Sequence, residues 1–156
     1  MRHGSICSGI GGLDIALEEV FGSEPAWFCE FDPACRVVLE RHWPGVPIYP
    51  DVKAQDWSQV EPVELLSAGY PCQPFSTAGK RGGEDDPRHL WPFVLRAIRA
   101  LRPRLVVLEN VAGHLSLGFD AVLCDLAEAG FDAEWGVVRA SDVGACHQRA
   151  RLFVVA

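Results

Sequence analysis

The run Leu105-Val106-Val107-Leu108 constrains the fold of this 156-residue chain more than any other feature. All four side chains are apolar, although successive residues of a strand point to opposite faces of a sheet. Such a strand has to be covered on both faces, which is typical of parallel sheets packed between helices. Strand and helix patterns alternate along the rest of the chain, so the sequence predicts an α/β fold with a mostly parallel central sheet and helices on both faces.

The predicted elements follow one another without a repeat, a low-complexity segment or a linker. Strands are expected at 5–7, 26–29, 46–48, 63–66, 105–108, 131–138 and 152–156, and helices at 13–21, 33–41, 89–101 and 120–129. Asp32 and Pro33 are typical of a helix cap and a first helical turn. The length fits one domain with a sizeable core.

The composition, with 49% hydrophobic and 22% charged residues, is typical of a soluble globular protein. No apolar run approaches the roughly 20 residues that span a bilayer. The segment from Met1 to Cys7 has no signal-peptide pattern, so we expect a cytoplasmic protein without a membrane partner. The six cysteines are scattered and form no CxxC, which predicts free thiols that lie mostly in the core. Cys146 and His147 are an isolated pair of potential ligands, so no metal site is expected.

The charge distribution is more informative than the net charge of −7, which taken alone argues against a nucleic-acid partner. Residues 80–104 carry seven basic side chains against three acidic ones. A local basic patch can bind phosphates while the rest of the chain stays acidic. For Arg96, Arg99 and Arg102, a solvated helix face is an equally good interpretation.

Cys72 lies between Pro71 and Pro74, after a predicted strand and ahead of the glycine-rich run 77–83. Each proline fixes one backbone angle, so the thiol would be held while the loop beyond it could move. A fixed thiol beside a movable loop is suited to covalent catalysis on a bulky substrate.

Several polar residues follow predicted strands, where parallel sheets bind their ligands. Gly9, Glu30, Asp51, Cys72 and Glu109 are therefore expected to line one crevice. The glycine turn around Gly9 would let a ligand approach the backbone and a helix N-terminus, although a tight structural turn is the alternative.

Glu30 could accept hydrogen bonds from a ribose diol, and Asp51 could accept one from an exocyclic amine. Phe31 could lie against an adenine ring. Surface charges or caps are the alternatives for the two carboxylates, and core packing is the alternative for Phe31. Their joint placement favours a nucleoside-bearing cofactor.

Three further residues have charges that suit catalysis. A carboxylate such as Glu109 at the end of a buried strand is costly unless it is paired or functional. Strand alternation would point Arg149 and Arg151 to the same side, where they could bind an anion or a polarised carbonyl. A pair of surface arginines is the alternative.

Six segments, in this order, resemble the motifs of the DNA (cytosine-5)-methyltransferases. They are Ser8-Gly9-Ile10-Gly11-Gly12-Leu13, Glu30-Phe31-Asp32, Asp51-Val52, Pro71-Cys72-Gln73-Pro74-Phe75-Ser76, Glu109-Asn110-Val111 and Gln148-Arg149-Ala150-Arg151. The resemblance implies a Rossmann-like, S-adenosylmethionine-dependent methyltransferase fold. It also implies transfer of a methyl group to carbon 5 of cytosine in DNA. Restriction–modification and phage self-protection are both compatible with that activity.

The resemblance further implies a role for each matching residue. Cys72 would add to carbon 6 of cytosine, Glu109 would hold a proton at ring nitrogen 3, and Arg149 and Arg151 would steady the base carbonyl and the nucleophile loop. The implied cofactor-binding residues are Ser8, Gly9, Ile10, Gly11, Gly12, Leu13, Glu30, Phe31, Asp51, Val52, Gly69 and Pro71. The implied DNA-binding residues are Gln73, Ser76, Lys80, Arg81 and Arg88, the last three in a basic loop that would grip DNA around an extruded base.

The chain also departs from the family pattern. The family continues with a target-recognition region and two further motifs that this sequence lacks, so we expect a single catalytic domain over 1–156 without a target-recognition domain. Cys7 stands where the family usually has an aromatic residue near the cofactor.

Three explanations for this departure are open: half of a split enzyme whose second protein chain reads DNA, a minimal enzyme of low specificity, or a degenerate remnant. The intact Cys72, Glu109 and both arginines argue against a remnant. Two other function classes are also open. One is a non-catalytic cofactor- or DNA-binding subunit that regulates a partner methyltransferase, and the other is an RNA cytosine methyltransferase of the transfer-RNA type.

Overall fold

The computed structural model describes residues 1–71 and 90–156. In these residues seven strands form one sheet. The strands are β1 (Arg2–Ile6), β2 (Glu24–Cys29), β3 (Ile48–Tyr49), β4 (Leu65–Ala68), β5 (Leu105–Val111), β6 (Glu134–Arg139) and β7 (Ala150–Val155). The helices are α1 (Gly12–Phe21), α2 (Pro33–His42), α3 (Trp91–Leu101) and α4 (Phe119–Glu128), with short 3₁₀ turns at Trp57–Gln59, Ala112–Ser116 and Ala140–Val143.

The strand order across the sheet is β3-β2-β1-β4-β5-β7-β6. The first five strands in this order pair in parallel, and β7 is antiparallel to both β5 and β6. The α/β fold with a mostly parallel sheet is therefore confirmed. The carboxyl ends of β1 to β5 all open at one edge, and that edge carries the candidate site.

Successive residues of the central strands point to opposite faces of the sheet, and each face packs against helices. Leu65 and Val107 pack with Leu17 of α1 on one face. Leu66, Val106 and Leu108 belong to the larger core on the opposite face, which includes side chains of α3 and α4. The continuously apolar run is thus covered on both faces, as predicted.

Local sequence accounts for the starts of two helices. Gly11 precedes α1 with φ 85°, a left-handed conformation, and a Cβ added there would lie 2.4 Å from the Trp43 ring. Only glycine meets both demands. At α2 the Asp32 carboxylate accepts from the Ala34 amide at 2.8 Å and Pro33 occupies the first turn, which confirms the predicted cap.

Several predicted boundaries were wrong. The most consequential concerns β5, which continues past Leu108 to Val111, so Glu109 lies within the strand instead of after it. The cause is β7, whose antiparallel ladder pairs Glu109 with Phe153 and Val111 with Arg151. Smaller shifts place β3 at Ile48–Tyr49, β4 at Leu65–Ala68 and β6 at Glu134–Arg139.

In the described ranges, no helix is both long enough and apolar enough to cross a lipid bilayer.

Candidate active site

A cavity of about 650 Å³ opens at the carboxyl ends of β1 to β4. Its volume lies within the ordinary range for small-molecule sites. The lining residues come from the ends of four strands and the start of α3: Cys7, Gly9, Cys29, Glu30, Phe31, Asp51, Val52, Lys53, Gly69, Pro71 and Leu90. We call this space the first cavity.

Glu30 joins two turns that border the first cavity. Its Oε2 accepts from the Gly9 amide at 2.7 Å, and its Oε1 accepts from the Asp32 amide at 2.8 Å. The carboxylate is therefore more than a surface charge, because it fixes the β1 turn against the β2 turn. Each carboxylate oxygen can accept a second hydrogen bond, so Glu30 retains the capacity to bind a ligand hydroxyl.

Asp51 and Phe31 lie on the same cavity wall. The Asp51 Oδ1 accepts from the Lys53 amide at 2.8 Å, which holds the carboxylate in a tight turn. Phe31 is 76% exposed, so the core-packing alternative for its ring is wrong. The ring is free to make an apolar contact with a ligand.

Two cysteines form the inner wall of the first cavity. The Cys7 amide donates to the Cys29 carbonyl at 2.8 Å, and Cys7 adopts a left-handed backbone with φ 54°. Burial, with a smaller contribution from the Glu30 charge, raises the pKa of Cys7 to about 12. Burial also raises the pKa of Cys29 to about 12. Smaller electrostatic contributions to this rise come, in decreasing order, from Cys7, Asp51 and Glu30. Both thiols are therefore protonated and unreactive at neutral pH.

A second cavity, of about 460 Å³, shares Cys7, Gly9 and Gly69 with the first. Its remaining lining comes from the α1 side and from β5 and β7: Ser5, Ser8, Gly12, Leu13, Ala16, Glu109, Arg149, Arg151 and Phe153. The two cavities therefore meet at the end of β1 and the end of β4.

Glu109 and Arg151 form the main charged contact of the second cavity. The Arg151 Nε lies 2.7 Å from Glu109 Oε1, and both side chains are about three-quarters covered. A Cβ at Gly69 would lie 3.7 Å from Glu109 Oε2, so the second carboxylate oxygen faces the wall that the cavities share. The charge that makes Glu109 costly in a strand is thus offset by a partner on β7.

Arg149 lines the same cavity as Arg151 but is exposed, and it lies just before β7. The predicted same-side arrangement of these arginines agrees with this placement. Their contacts differ, because only Arg151 is paired with Glu109 among the ion pairs of the described residues.

A buried network holds the chain just before Cys72. The Asn110 Nδ2 donates to the Tyr70 carbonyl at 3.1 Å, and the Tyr70 hydroxyl lies 3.1 Å from His114 Nε2. The His114 Nδ1 lies 2.9 Å from the Leu117 carbonyl, which can only accept, so Nδ1 donates to that oxygen. The Tyr70 ring also packs against Trp91, with centroids 5.4 Å apart, so residues on both sides of 72–89 are in contact.

Six of the predicted site residues lie outside the described residues: Cys72, Gln73, Ser76, Lys80, Arg81 and Arg88.

The three arginines of α3 and its end have specific partners. The Arg96 guanidinium contacts carbonyls of residues 52–55, Arg99 pairs with Glu128 at 3.4 Å, and Arg102 donates to the Ala129 carbonyl at 2.9 Å. All three arginines are exposed, which agrees with the solvated helix face, but their partners could not be predicted because the acceptors lie far away along the chain. Arg96 and Arg102 tie α3 to neighbouring segments.

The predicted cofactor residues divide between the two cavities. Gly9, Glu30, Phe31, Asp51, Val52, Gly69 and Pro71 line the first, and Ser8, Gly12 and Leu13 line the second. Ile10 is exposed and Gly11 is buried against Trp43, and neither is among the lining residues.

Several residues that line the two cavities were not predicted from the sequence. Cys29 and Lys53 adjoin predicted strand-end residues, so the rule that placed Glu30 and Asp51 could also have found them. Ala16 and Phe153 carry no such signal, because only the tertiary fold brings α1 and β7 together. In the described ranges no three His, Cys, Asp or Glu side chains are grouped as metal ligands would be.

Comparison with known proteins gives consistent relatives. The family model described as C-5 cytosine-specific DNA methylase matches residues 1–156. The type II methyltransferase M.NgoMIV of Neisseria gonorrhoeae is 33% identical over 156 residues, which cover 97% of this chain and 50% of that protein. A protein of Escherichia phage P1 named DNA N-6-adenine-methyltransferase is 39% identical over 146 residues, which cover 84% of this chain and 19% of that protein.

The crystal structure of the Dnmt2 methyltransferase of S. pombe superposes with a TM-score of 0.81 at 18% identity. The match covers 99% of this chain and 50% of that one, and at this identity it shows a shared fold. The chain therefore spans about half the length of M.NgoMIV and of this solved structure.

Proposed function

Because the chain belongs to the C-5 cytosine-specific DNA methylase family, we propose that it transfers a methyl group from S-adenosylmethionine to carbon 5 of cytosine in DNA. The observation that carries the proposal is the pair of joined cavities. One offers acceptors and an exposed ring to a nucleoside, and the other presents a carboxylate–guanidinium pair to a base. The methyl donor and the base would meet at their shared wall.

The first cavity fits S-adenosylmethionine, the methyl donor of the family. Glu30 and Asp51 are acceptors already oriented by backbone amides, as a ribose diol and an adenine amine require. Phe31 presents its exposed ring at the same wall. The neutral thiols of Cys7 and Cys29 keep the inner wall uncharged. When bound, the cofactor supplies an electrophilic methyl group.

Cys72 supplies the covalent step in this proposal. Its thiolate forms a bond to carbon 6 of cytosine, and the electron pair of the 5,6 double bond makes carbon 5 nucleophilic. Carbon 5 would take the methyl group as the sulfur–methyl bond of S-adenosylmethionine breaks, which leaves S-adenosylhomocysteine. Carbon 5 then loses its proton to a base, the electron pair of that bond re-forms the double bond, and the thiolate leaves. One hard substitution is thereby divided into easier steps.

Glu109 lies where it can serve the base during this addition. Arg151 occupies its Oε1, while Oε2 faces the shared wall. A proton held between Oε2 and ring nitrogen 3 would draw negative charge away from the ring as the thiolate adds. Arg151 fixes the carboxyl group, and the exposed Arg149 is available to the base carbonyl.

We also propose that a second protein chain supplies target recognition. All six residues of β6 are exposed, and among the described residues this edge strand pairs only with β7. Val138 on β6 and Val155 on β7 are each 42% exposed. A sheet face of this kind is usually covered in a functional assembly.

A covalent trapping experiment tests the proposal. Wild-type protein is incubated with S-adenosylmethionine and an oligonucleotide that contains 5-fluorocytosine, which blocks release of the thiolate because carbon 5 carries no proton to lose. We expect a denaturation-resistant adduct in the wild type and in Cys124→Ala, an exposed cysteine on α4, and none in Cys72→Ala. The experiment is run with the chain alone and with candidate partner chains.

Other outcomes identify the alternatives. Methyl transfer that persists in Cys72→Ala would contradict the covalent mechanism. Cofactor binding without turnover, with or without partner chains, would indicate a regulatory subunit, and transfer to RNA alone would indicate an RNA methyltransferase. Formation of N6-methyladenine would indicate the activity that the name of the phage P1 protein states. The match covers only 19% of that protein.

A further inference from the structure

Arg96 contacts the turn that forms one wall of the first cavity, from outside that cavity. Its Nη2 lies 2.8 Å from the Lys53 carbonyl oxygen, 3.0 Å from the Val52 carbonyl oxygen and 3.5 Å from the Gln55 carbonyl oxygen. One guanidinium nitrogen carries two N–H groups, so the two shorter contacts are full hydrogen bonds. Arg96 thus holds two successive peptide groups of the turn.

The turn is also closed by its own hydrogen bonds. The Lys53 amide donates to Asp51 Oδ1 at 2.8 Å, and the Gln55 amide donates to the Asp51 carbonyl at 3.1 Å. The Asp51 carboxylate and the peptides held by Arg96 therefore move as one unit. Asp51, Val52 and Lys53 line the first cavity, whereas Arg96 does not.

Phe93 preorganises the arginine. The Arg96 Cζ lies 5.4 Å from the centroid of the Phe93 ring, and the Lys53 Nζ lies 5.6 Å from the same centroid. A planar guanidinium stacked on a ring loses few further rotamers when it donates its hydrogen bonds. The same helix, α3, follows Leu90, which lines the cavity directly.

We propose that Arg96 is a positioning residue for adenine recognition. By holding the turn 51–55 it keeps the Asp51 carboxylate where it accepts from the exocyclic amine of the cofactor. The inference rests on the proposed function, because adenine recognition by Asp51 is part of that function. It adds Arg96, a residue outside the first cavity that contributes to the preference of the cavity for adenine by holding the turn 51–55 from its opposite side.

Calorimetric titration with S-adenosylhomocysteine measures the effect on affinity. We expect Arg96→Ala to raise the Kd about 10-fold at unchanged stoichiometry, the scale of a lost charge-assisted hydrogen bond. Arg96→Lys should give an intermediate Kd, because an ammonium keeps the charge but loses the planar fork. Arg99→Ala is the matched control on the same helix, since Arg99 contacts only the exposed Glu128 among the described residues, and its Kd should equal that of the wild type.

A second ligand separates positioning from general support of the fold. An S-adenosylhomocysteine analogue without the exocyclic amine of adenine should bind wild type more weakly than the parent ligand. It should bind Arg96→Ala about as well as it binds wild type, because the contact that Arg96 supports is already missing. A reduced binding stoichiometry would report unfolded protein, and Arg96→Lys then provides the comparison.

Two results would overturn the inference in distinguishable ways. If Arg96→Ala binds the parent ligand as well as wild type does, or weakens both ligands equally, Arg96 has no positioning function and the proposed cofactor site stands. If the wild type binds neither ligand, the proposed cofactor site is wrong and the inference fails with it.

Discussion

The two sides of the carboxyl edge of the sheet are built differently. On the β1–β3 side, the acceptors are held by backbone amides, Glu30 by those of Gly9 and Asp32 and Asp51 by that of Lys53. On the β5–β7 side, Glu109 is held by the side chain of Arg151 from a distant part of the chain. The first side thus presents acceptors fixed by the backbone, whereas the second presents an ion pair beside an exposed edge strand.

Under the proposed function, we expect the first side to bind the cofactor and the second side to serve the chemical step. A change on the β1–β3 side should alter cofactor affinity and leave the chemical step nearly intact. A change on the β5–β7 side should do the reverse. Four experiments test that separation.

Glu109→Gln should give the largest effect. The amide keeps the size of the side chain but cannot exchange a proton with ring nitrogen 3, so single-turnover methyl transfer should fall about 100-fold or more. The Kd for S-adenosylhomocysteine should change less than about twofold. Glu134→Gln on the exposed strand β6 is the control, and a rate unchanged by Glu109→Gln would refute the division of labour.

Glu30→Ala should show the opposite pattern. The substitution leaves the Gly9 and Asp32 amides without their carboxylate acceptor. It also removes the proposed acceptors of the two ribose hydroxyls, and two lost ligand hydrogen bonds at about 1 kcal/mol each predict a Kd about 30-fold higher. The methyl-transfer rate at saturating cofactor should stay within about threefold of wild type, and Glu40→Ala on the exposed side of α2 should change neither quantity. A lower rate at unchanged affinity would place Glu30 on the chemical side.

The pH dependence of stability tests how well the β1–β3 side excludes water. Below pH 9, the ordinary pKa of the thiol, Cys29 is neutral in both the folded and the unfolded chain. Above that pH the unfolded chain ionises while the folded chain does not, because the pKa in the fold is about 12. Stability should therefore fall from pH 9 towards pH 12, and the contribution of this thiol at pH 10 is a loss of about 1 kcal/mol.

Urea unfolding at pH 8 and pH 10 measures this contribution. Cys29→Ala should lose less stability than wild type over that interval by about 1 kcal/mol, whereas Cys124→Ala, which removes an exposed thiol, is the control. Equal losses in wild type and Cys29→Ala would show that the Cys29 thiol is hydrated.

The smallest effect is expected at the exposed edge. Val138→Ala on β6 removes a side chain that is 42% exposed and should change the free energy of unfolding by less than about 0.5 kcal/mol. The matched change Val107→Ala, at a position only 6% exposed, should cost about 2 kcal/mol. Chemical denaturation compares the two. Equal costs would mean that β6 is covered in solution, and the oligomeric state would then identify self-association.

Residues close in sequence could be predicted. Asp32 and Pro33 specified the start of α2 because a cap and its amide are two residues apart. The placement of Gly9, Glu30 and Asp51 at one cavity followed from the rule for parallel strands and required no knowledge of the strand order.

Contacts between distant segments could not be predicted. The apolar run ends at Leu108, yet β5 continues because β7 supplies both a ladder and a countercharge for Glu109. The buried pair of His3 and Asp14, 3.4 Å apart, left no periodic signal in either element. In the sequence, Arg96 cannot be distinguished from any other surface arginine. Only the fold shows that its acceptors are carbonyls of residues 52–55.

The position of β7 has a consequence for biosynthesis. Although it follows β6 in the chain, it is inserted between β5 and β6. On the ribosome, β6 therefore emerges before β7, its neighbour among the described strands, and lacks that pairing until residues 150–155 arrive. Arg151 arrives on that same strand, so a nascent chain completes the wall formed by β1 to β4 before it can assemble the Glu109 pair. Translational pausing between β6 and β7 would expose a strand that invites chaperones or aggregation.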